Sequence, residues 1–300
     1  MTLKERLEKM KKGVKSNPVR SAIIFCGMAV IALSIGSFLL IKDLVYAREN
    51  TMISILLASI VAIVFVGGLL GSRNIDRMVK AKTNDMFKLQ SALLQGITNM
   101  MENRDAVTGR HALSTQGYLR ALIDGLNKTG LYQDEMKKWD VELVVESSQL
   151  HDVGKIAISD RILQKPGRFT QEEFEAMKKH VEFGVEIIER IESKVPGTDF
   201  IKCAKMFVQT HHEKWDGSGY PKGLTGRDIP LLGRLMAIAN VYDALTSKRP
   251  YKEAFPPEEA ARIIREGKGS HFDPALVDVF EQVAGQFASI ARNPIDQRTA

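Results

Sequence analysis

Residues 151–155 read HDVGK and residues 211–221 read HHEKWDGSGYP. The first stretch sets an imidazole, His151, beside a carboxylate, Asp152, and such a pair binds one metal or bridges two. Nitrogen and oxygen donors together suit Fe, Mn, Ni or Zn rather than Ca. The second stretch sets His211 beside His212 at the end of an expected helix, with Glu213 following. Neighbouring side chains on a helix diverge by about 100°, so the two rings can reach two different metals. A lone histidine is more often a satisfied structural residue than a ligand. Here His111, opening one expected helix, and His180, within another, join the three above, and only His271 stands apart.

The sequence around these residues reads as helices. Thr170 followed by Glu173 is a capping box, and it predicts a helix running to about Ser193. Asp273 and Pro274 supply a cap and a first-turn proline for a last helix. Residues 231–248 and 256–267 also read helical, and the Gly- and Pro-bearing stretch 214–230 reads as a loop. Few runs alternate with a period of two, so the expected fold class is all-α.

Towards the N-terminus the character changes. Ser21–Ile41 and Thr51–Gly71 are each 21 residues without a charge, joined by the nine residues Lys42–Asn50. Twenty-one residues make a helix of about 32 Å, enough to cross a bilayer core of about 30 Å. The first run is long for a signal peptide and ends at no clear small-x-small cleavage site. Neither run has the polar face that a buried amphipathic helix shows. Two antiparallel transmembrane helices are the expectation. Lys and Arg crowd residues 1–20 and return at Arg73, Arg77, Lys80 and Lys82, whereas the loop between holds only Lys42 and Arg48. The positive-inside rule then puts both termini in the cytoplasm, on a multi-pass protein of the inner, cytoplasmic membrane.

Beyond the second run, Val79, Lys82, Met86, Leu89, Leu93, Gly96 and Met100 recur at steps of three and four. That is heptad spacing. It fits a helix that continues from the second span and pairs with its copy in a homodimer, and equally one that packs on its own domain. The organisation expected is a basic N-terminus (1–20), a two-helix anchor (21–71), a helical connector (72–100), a helical catalytic domain (101–292) and a tail (293–300). Cys26 and Cys203 form neither a disulfide framework nor a zinc-knuckle pattern. The net charge of +6 is not gathered into a stripe interleaved with aromatics, so a nucleic-acid polymer is not an expected partner.

HDVGK and HHEKWDGSGYP, with ANVYDALTSKRPYK at 239–252 and FDP at 272–274, closely resemble the HD-GYP phosphodiesterases over roughly residues 100–290. The resemblance implies an all-helical HD-type domain that holds divalent metals, often Fe or Mn, and cleaves cyclic di-GMP. It implies metal ligation by His151, by a bridging Asp152, and by His180, His211 and His212, with His111 serving a third metal where one exists. It gives Asp152 and Lys155 catalytic roles, with Lys155 also holding a substrate phosphate. It gives Asp105, Tyr220, Arg249 and Lys252 contacts with the dinucleotide.

Three positions depart from the family's usual pattern. Asn240 stands where a metal-ligating Asp is usual, and it offers a neutral oxygen but no charge. Val107 stands where three-metal members carry an acid, so two divalent ions are the expected number. Lys248 stands where Asp is more usual. Asp243 matches the family's second Asp, one helical turn beyond Asn240. The expected function is a membrane-anchored cyclic di-GMP phosphodiesterase. The alternatives are a degenerate cyclic-dinucleotide receptor or partner-binding module, suggested by Asn240, and a hydrolase of another phosphate ester.

Overall fold

The computed structural model describes residues 27, 31–35, 50–104, 110–248 and 253–292. Most of the expected span Ser21–Ile41 lies outside them, as do Asp105, Val107, Arg249 and Lys252. The chain divides into two units, Met1–Leu89 and Gln90–Ala300.

Helix α1, Asn50–Arg104, runs unbroken from the second apolar stretch through the heptad-spaced connector. By length and composition it is a candidate to cross a membrane. In the first unit its apolar side chains Ile55, Leu56, Ile60, Ile63 and Val64 are exposed.

In the second unit, α2 (His111–Thr129) ends where Gly130 turns left-handed and donates its N–H to the Leu126 carbonyl. This is the usual stop for a helix, because glycine adopts that conformation without a Cβ penalty. The chain continues through α3 (Gln133–Met136) and α4 (Val141–Ser147), the latter capped by the Asp140 side chain on the Leu143 N–H. Two tight 3-10 turns, Ser148–Leu150 and Val153–Ala157, carry the HDVGK sequence. Then come α5 (Asp160–Leu163), α6 (Gln171–Lys178), α7 (His180–Glu192), α8 (Asp199–Thr210), α9 (Leu231–Thr246), α10 (Pro257–Glu266) and α11 (Pro274–Arg292). Among the described residues there is no strand, only two isolated bridges.

The main core forms where α2 packs against α9 and α11. Leu119, Leu122, Leu235, Ile238 and Phe280 are fully buried there. The Tyr118 and Phe287 rings stack at 4.6 Å, and Tyr242 meets Tyr118 edge-on at 5.2 Å. Such aromatic pairs add about 0.5–1.5 kcal/mol beyond the area they bury. A smaller cluster of Leu150, Val153, Ile188, Ala204 and Val208 binds the HDVGK turns to α7 and α8. Gly154 makes that packing possible. A Cβ there would lie 1.8 Å from the His180 carbonyl oxygen and 2.4 Å from the Gly184 nitrogen. Only the backbone of a glycine fits this approach.

The Thr170 capping box is present, with Glu173 N–H on Thr170 Oγ1 at 3.3 Å and Thr170 N–H on the Glu173 carboxylate at 2.7 Å. The helix it opens does not run to Ser193, however. It stops at Lys178, and a second helix starts at His180. At the break Lys179 N–H takes the Ala176 carbonyl in a tightened turn, while His180 Nδ1 lies 2.7 Å from the Met177 carbonyl. The imidazole occupies a carbonyl that a continuous helix would use internally. His180 therefore opens α7 rather than lying inside a longer helix. The expected cap at Asp273 is present, accepting from Ala275 N–H at 2.9 Å. That carboxylate also accepts from Tyr132 Oη and from the buried Arg234, a pairing that ties the start of α11 to α9.

Candidate metal centre

Asp152 lies at the meeting point of five imidazoles. One group is Asp152, His180, His211 and His212. The other is His111, His151 and Asp152. Within each group one ligand atom per residue lies within 4.8 Å of all the others. Asp152 Oδ1 is 3.4 Å from His180 Nε2 and 3.6 Å from His211 Nε2. Its other oxygen, Oδ2, is 3.3 Å from His151 Nε2 and 4.0 Å from His111 Nε2. The carboxylate thus turns one oxygen towards each group.

The backbone sets the direction of the rings. His151 Nδ1 donates to the Ser148 carbonyl at 2.9 Å, His180 Nδ1 to that of Met177 at 2.7 Å, and His211 Nδ1 to that of Phe207 at 2.9 Å. A ring that donates from Nδ1 carries its lone pair on Nε2, the form that ligates a metal. His111 is held differently, with Nδ1 2.6 Å from the buried Asp243 carboxylate on α9.

Two pairs of Nε2 atoms face each other, His180 with His211 at 3.3 Å and His111 with His151 at 3.2 Å. With the Nδ1 protons of His180 and His211 committed to backbone carbonyls, that pair has no proton to share. Two nitrogens about 2.1 Å from one tetrahedral ion stand about 3.4 Å apart. Asp152 Oδ1 is buried and accepts no hydrogen bond from the described residues. The donor set, the facing lone pairs and the orphaned oxygen all fit divalent cations.

The electrostatics agree with this fit. Burial holds the His151 and His212 imidazoles below their usual range and takes His180 down to about 4, so these rings are neutral near pH 7. Burial also pushes His111 down, but Asp243 outweighs it and leaves that ring raised. Burial pushes the Asp152 carboxyl up, yet Lys155 and then His151 hold it well below the carboxylate range.

Other expected site residues fall around this centre. Lys155 Nζ is 2.9 Å from Asp152 Oδ2. The Tyr220 ring stacks on His212 at 4.6 Å and 25°, and Lys178 sits over the Tyr220 ring at 5.5 Å. Asn240 lies one turn before Asp243 on α9 and is partly exposed. Residues three apart share a helix face, so Asn240 is on the face that Asp243 turns towards His111. The resemblance sets His111 on a separate third metal, whereas its Nε2 stands beside that of His151. Asp105, Arg249 and Lys252 lie outside the described residues.

Some parts of the site were not legible beforehand. Glu213 is buried and accepts the N–H groups of Lys222 at 2.8 Å and Leu224 at 3.0 Å, which folds the GYP loop back on itself. Gly219 is required there because a Cβ would lie 2.3 Å from the Lys214 nitrogen. The close approach this glycine permits is thus to the loop's own backbone. Glu102, in the last turn of α1, is buried and accepts Ala112 N–H at 2.7 Å. The signal for it is weak, a single acid in a helix read for its apolar heptads.

A helical domain with histidines and a shared aspartate arranged for divalent cations is the class that this geometry defines. The chain belongs to the HD domain family, whose profile matches residues 97–276. A probable cyclic di-GMP phosphodiesterase of Vibrio cholerae is 42% identical over 228 residues, which cover 75% of this chain and 52% of that one. A 3'3'-cGAMP-specific phosphodiesterase of the same organism is 39% identical over 72% of this chain and 38% of its own length. A cyclic di-GMP phosphodiesterase of Thermotoga maritima is 39% identical over 68% of this chain and 52% of its own. The chain spans about half the length of the curated relatives it matches.

Proposed function

We propose that the chain is a metal-dependent phosphodiesterase that opens a cyclic dinucleotide, with cyclic di-GMP as the preferred substrate and a linear dinucleotide or GMP as product. The observation that carries this reading is the single Asp152 carboxylate directed at two histidine groups. Two divalent ions, Fe or Mn by the family resemblance, would be held by His151, Asp152 and His111 on one side and by Asp152, His180, His211 and His212 on the other. When bound, such ions activate water and stabilise charge on the phosphoryl oxygens.

The protein's own part is positioning. Backbone carbonyls fix three rings and Asp243 fixes the fourth. Lys155 stands beside Asp152 and would neutralise a non-bridging phosphate oxygen. Tyr220, packed on His212, would flank the dinucleotide, and burial pushes its phenol up, so it stays un-ionised. Asp105, Arg249 and Lys252 are carried as substrate contacts by their motifs. Relatives named for cyclic di-GMP and for 3'3'-cGAMP support the substrate class.

The proposed setting is the cytoplasmic membrane, with Ser21–Ile41 and Thr51–Gly71 as spans and the catalytic domain in the cytoplasm. The exposed apolar side chains of α1 support this. Exposure of Val79, Met86, Leu89, Leu93 and Met100 supports pairing of connectors in a homodimer. A fragment from Asn103 should then be more monomeric in sedimentation than one from Ser72, and the same oligomeric state for both would remove the connector from the interface.

The deciding assay loads the full chain in detergent with Mn2+ or Fe2+ under reducing conditions, adds cyclic di-GMP or 3'3'-cGAMP, and resolves the products by chromatography. A linear product that disappears in His151→Ala supports the enzyme. Asn240 favours a second reading, a receptor that binds the dinucleotide without turnover. Tight binding with no product from metal-loaded protein would establish that reading instead.

A further inference from the structure

The proposed centre is short of negative charge. Among the described residues Asp152 is the only carboxylate in either histidine group, and Asn240 brings none. Two dications held by imidazoles and one shared carboxylate carry a positive excess, with the Lys155 ammonium adjacent and the Asp243 carboxylate engaged by the far side of the His111 ring. A buried excess of this kind is costly unless an anion lies close by.

Next to the second group is a cavity of about 20 Å3 whose wall includes His111, His151, Asp152, Lys155, Thr98 and Glu102. One water needs about 10–15 Å3 and two to four polar partners. Glu102 is only 7% exposed. Its Oε1 is taken by Ala112 N–H, while Oε2 is buried with no hydrogen-bond partner among the described residues, as is Thr98 Oγ1. A native protein seldom leaves a buried carboxylate oxygen unpartnered. Burial pushes the Glu102 carboxyl up, against the Ala112 N–H and the His111 charge that lower it. A cation across the cavity would remove that penalty.

Resting on the two-metal reading above, we propose that Glu102 is a positioning residue of the second group. Through one water it supplies the anionic charge that Asn240 does not, while its other oxygen pins the first turn of α2, where His111 sits. Glu102 is not among the ligand atoms clustered within 4.8 Å, so its reach to the ion is through water. Outer partners of this kind change metal affinity by about 10–100-fold.

The test uses the full-length chain in detergent, stripped of metal and titrated with Mn2+, read by bound Mn2+ per chain and by the electron paramagnetic resonance signal of a coupled pair. Wild type should hold two Mn2+ with a coupled signal. Glu102→Gln keeps an oxygen for Ala112 N–H but loses the charge, so it should bind the second Mn2+ at least about tenfold more weakly, with the first unchanged. Glu102→Asp should keep both ions. Adding Asn240→Asp to Glu102→Gln should restore the second. If Glu102→Gln binds both ions as wild type does, or Asn240→Asp fails to restore the second, the proposal is overturned. Should Glu102→Gln not fold, Glu102→Asp decides, because loss of an ion there shows that shape matters rather than charge. A wild type that binds fewer than two Mn2+ overturns the two-metal reading itself, and this proposal with it.

Discussion

The two histidine groups share one carboxylate but are held in place by different means. In the group of His180, His211 and His212, the first two rings are oriented by carbonyls three or four residues earlier in their own chain segment. Local helix geometry sets those contacts. In the group of His111 and His151, one ring depends on Asp243, 132 residues away in sequence, and the space beside it is bordered by Glu102 from a third helix. In the first group the ring directions are local to two helix ends, although α7, α8 and the HDVGK turns must pack to bring the rings together. The second exists only once α1, α2 and α9 have packed. The difference teaches that the second site is the adjustable one, and it is also where the sequence departs from the usual pattern, at Asn240.

The largest effect expected is from Asp152→Ala. It should remove both metals and lower turnover on the order of 10³-fold, about 4 kcal/mol of barrier. Loss of only one ion, counted by elemental analysis, would show that Asp152 is not shared and would break the comparison. Next comes Asp243→Asn, which should weaken one metal by about 10–100-fold and leave the other alone. Equal weakening of both would mean that α9 supports the whole centre. Smaller again is Asn240→Asp, expected to tighten the second metal about tenfold, or about 1.4 kcal/mol, a modest share of what one added charge at close range supplies. An unchanged affinity would place residue 240 outside that ion's reach.

The smallest effect sharpens the comparison by separating ordinary histidine protonation from the metal groups. His271 belongs to neither group, and burial pushes its ring to about 4. The folded ring is neutral, whereas the unfolded ring takes a proton below about 6.5. The stability it contributes is therefore present above pH 6.5 and is lost as pH falls towards 4. In metal-free protein, His271→Gln should flatten this part of the melting-temperature profile. A profile with unchanged slope would assign the acid loss to the metal-group rings.

The capping box at Thr170, the Asp273–Pro274 start of α11 and the continuous helix through the connector were legible because each is a local pattern. So were the five histidines and Asp152, whose spacing within short motifs carries their chemistry. The break at Lys179 was not legible, since a side chain rather than a proline or glycine interrupts the helix there. Nor was the contact of Gly154 with His180 and Gly184, which depends on α7 crossing the HDVGK turns.

The sequence by itself determined the helical class, the apolar stretch 51–71 and the identity of the clustered histidines and Asp152, because these follow from hydrophobic period, caps and donor chemistry along a few residues. Tertiary structure alone decided that Asp152 turns one oxygen to each group, that Asp243 orients His111, and that Glu102 borders the same cavity. Those facts depend on segments 10 to 132 residues apart being brought within hydrogen-bond distance. Hydrophobic packing of α2 between α9 and α11 does this, and no local pattern records where a packed helix will point a distant side chain.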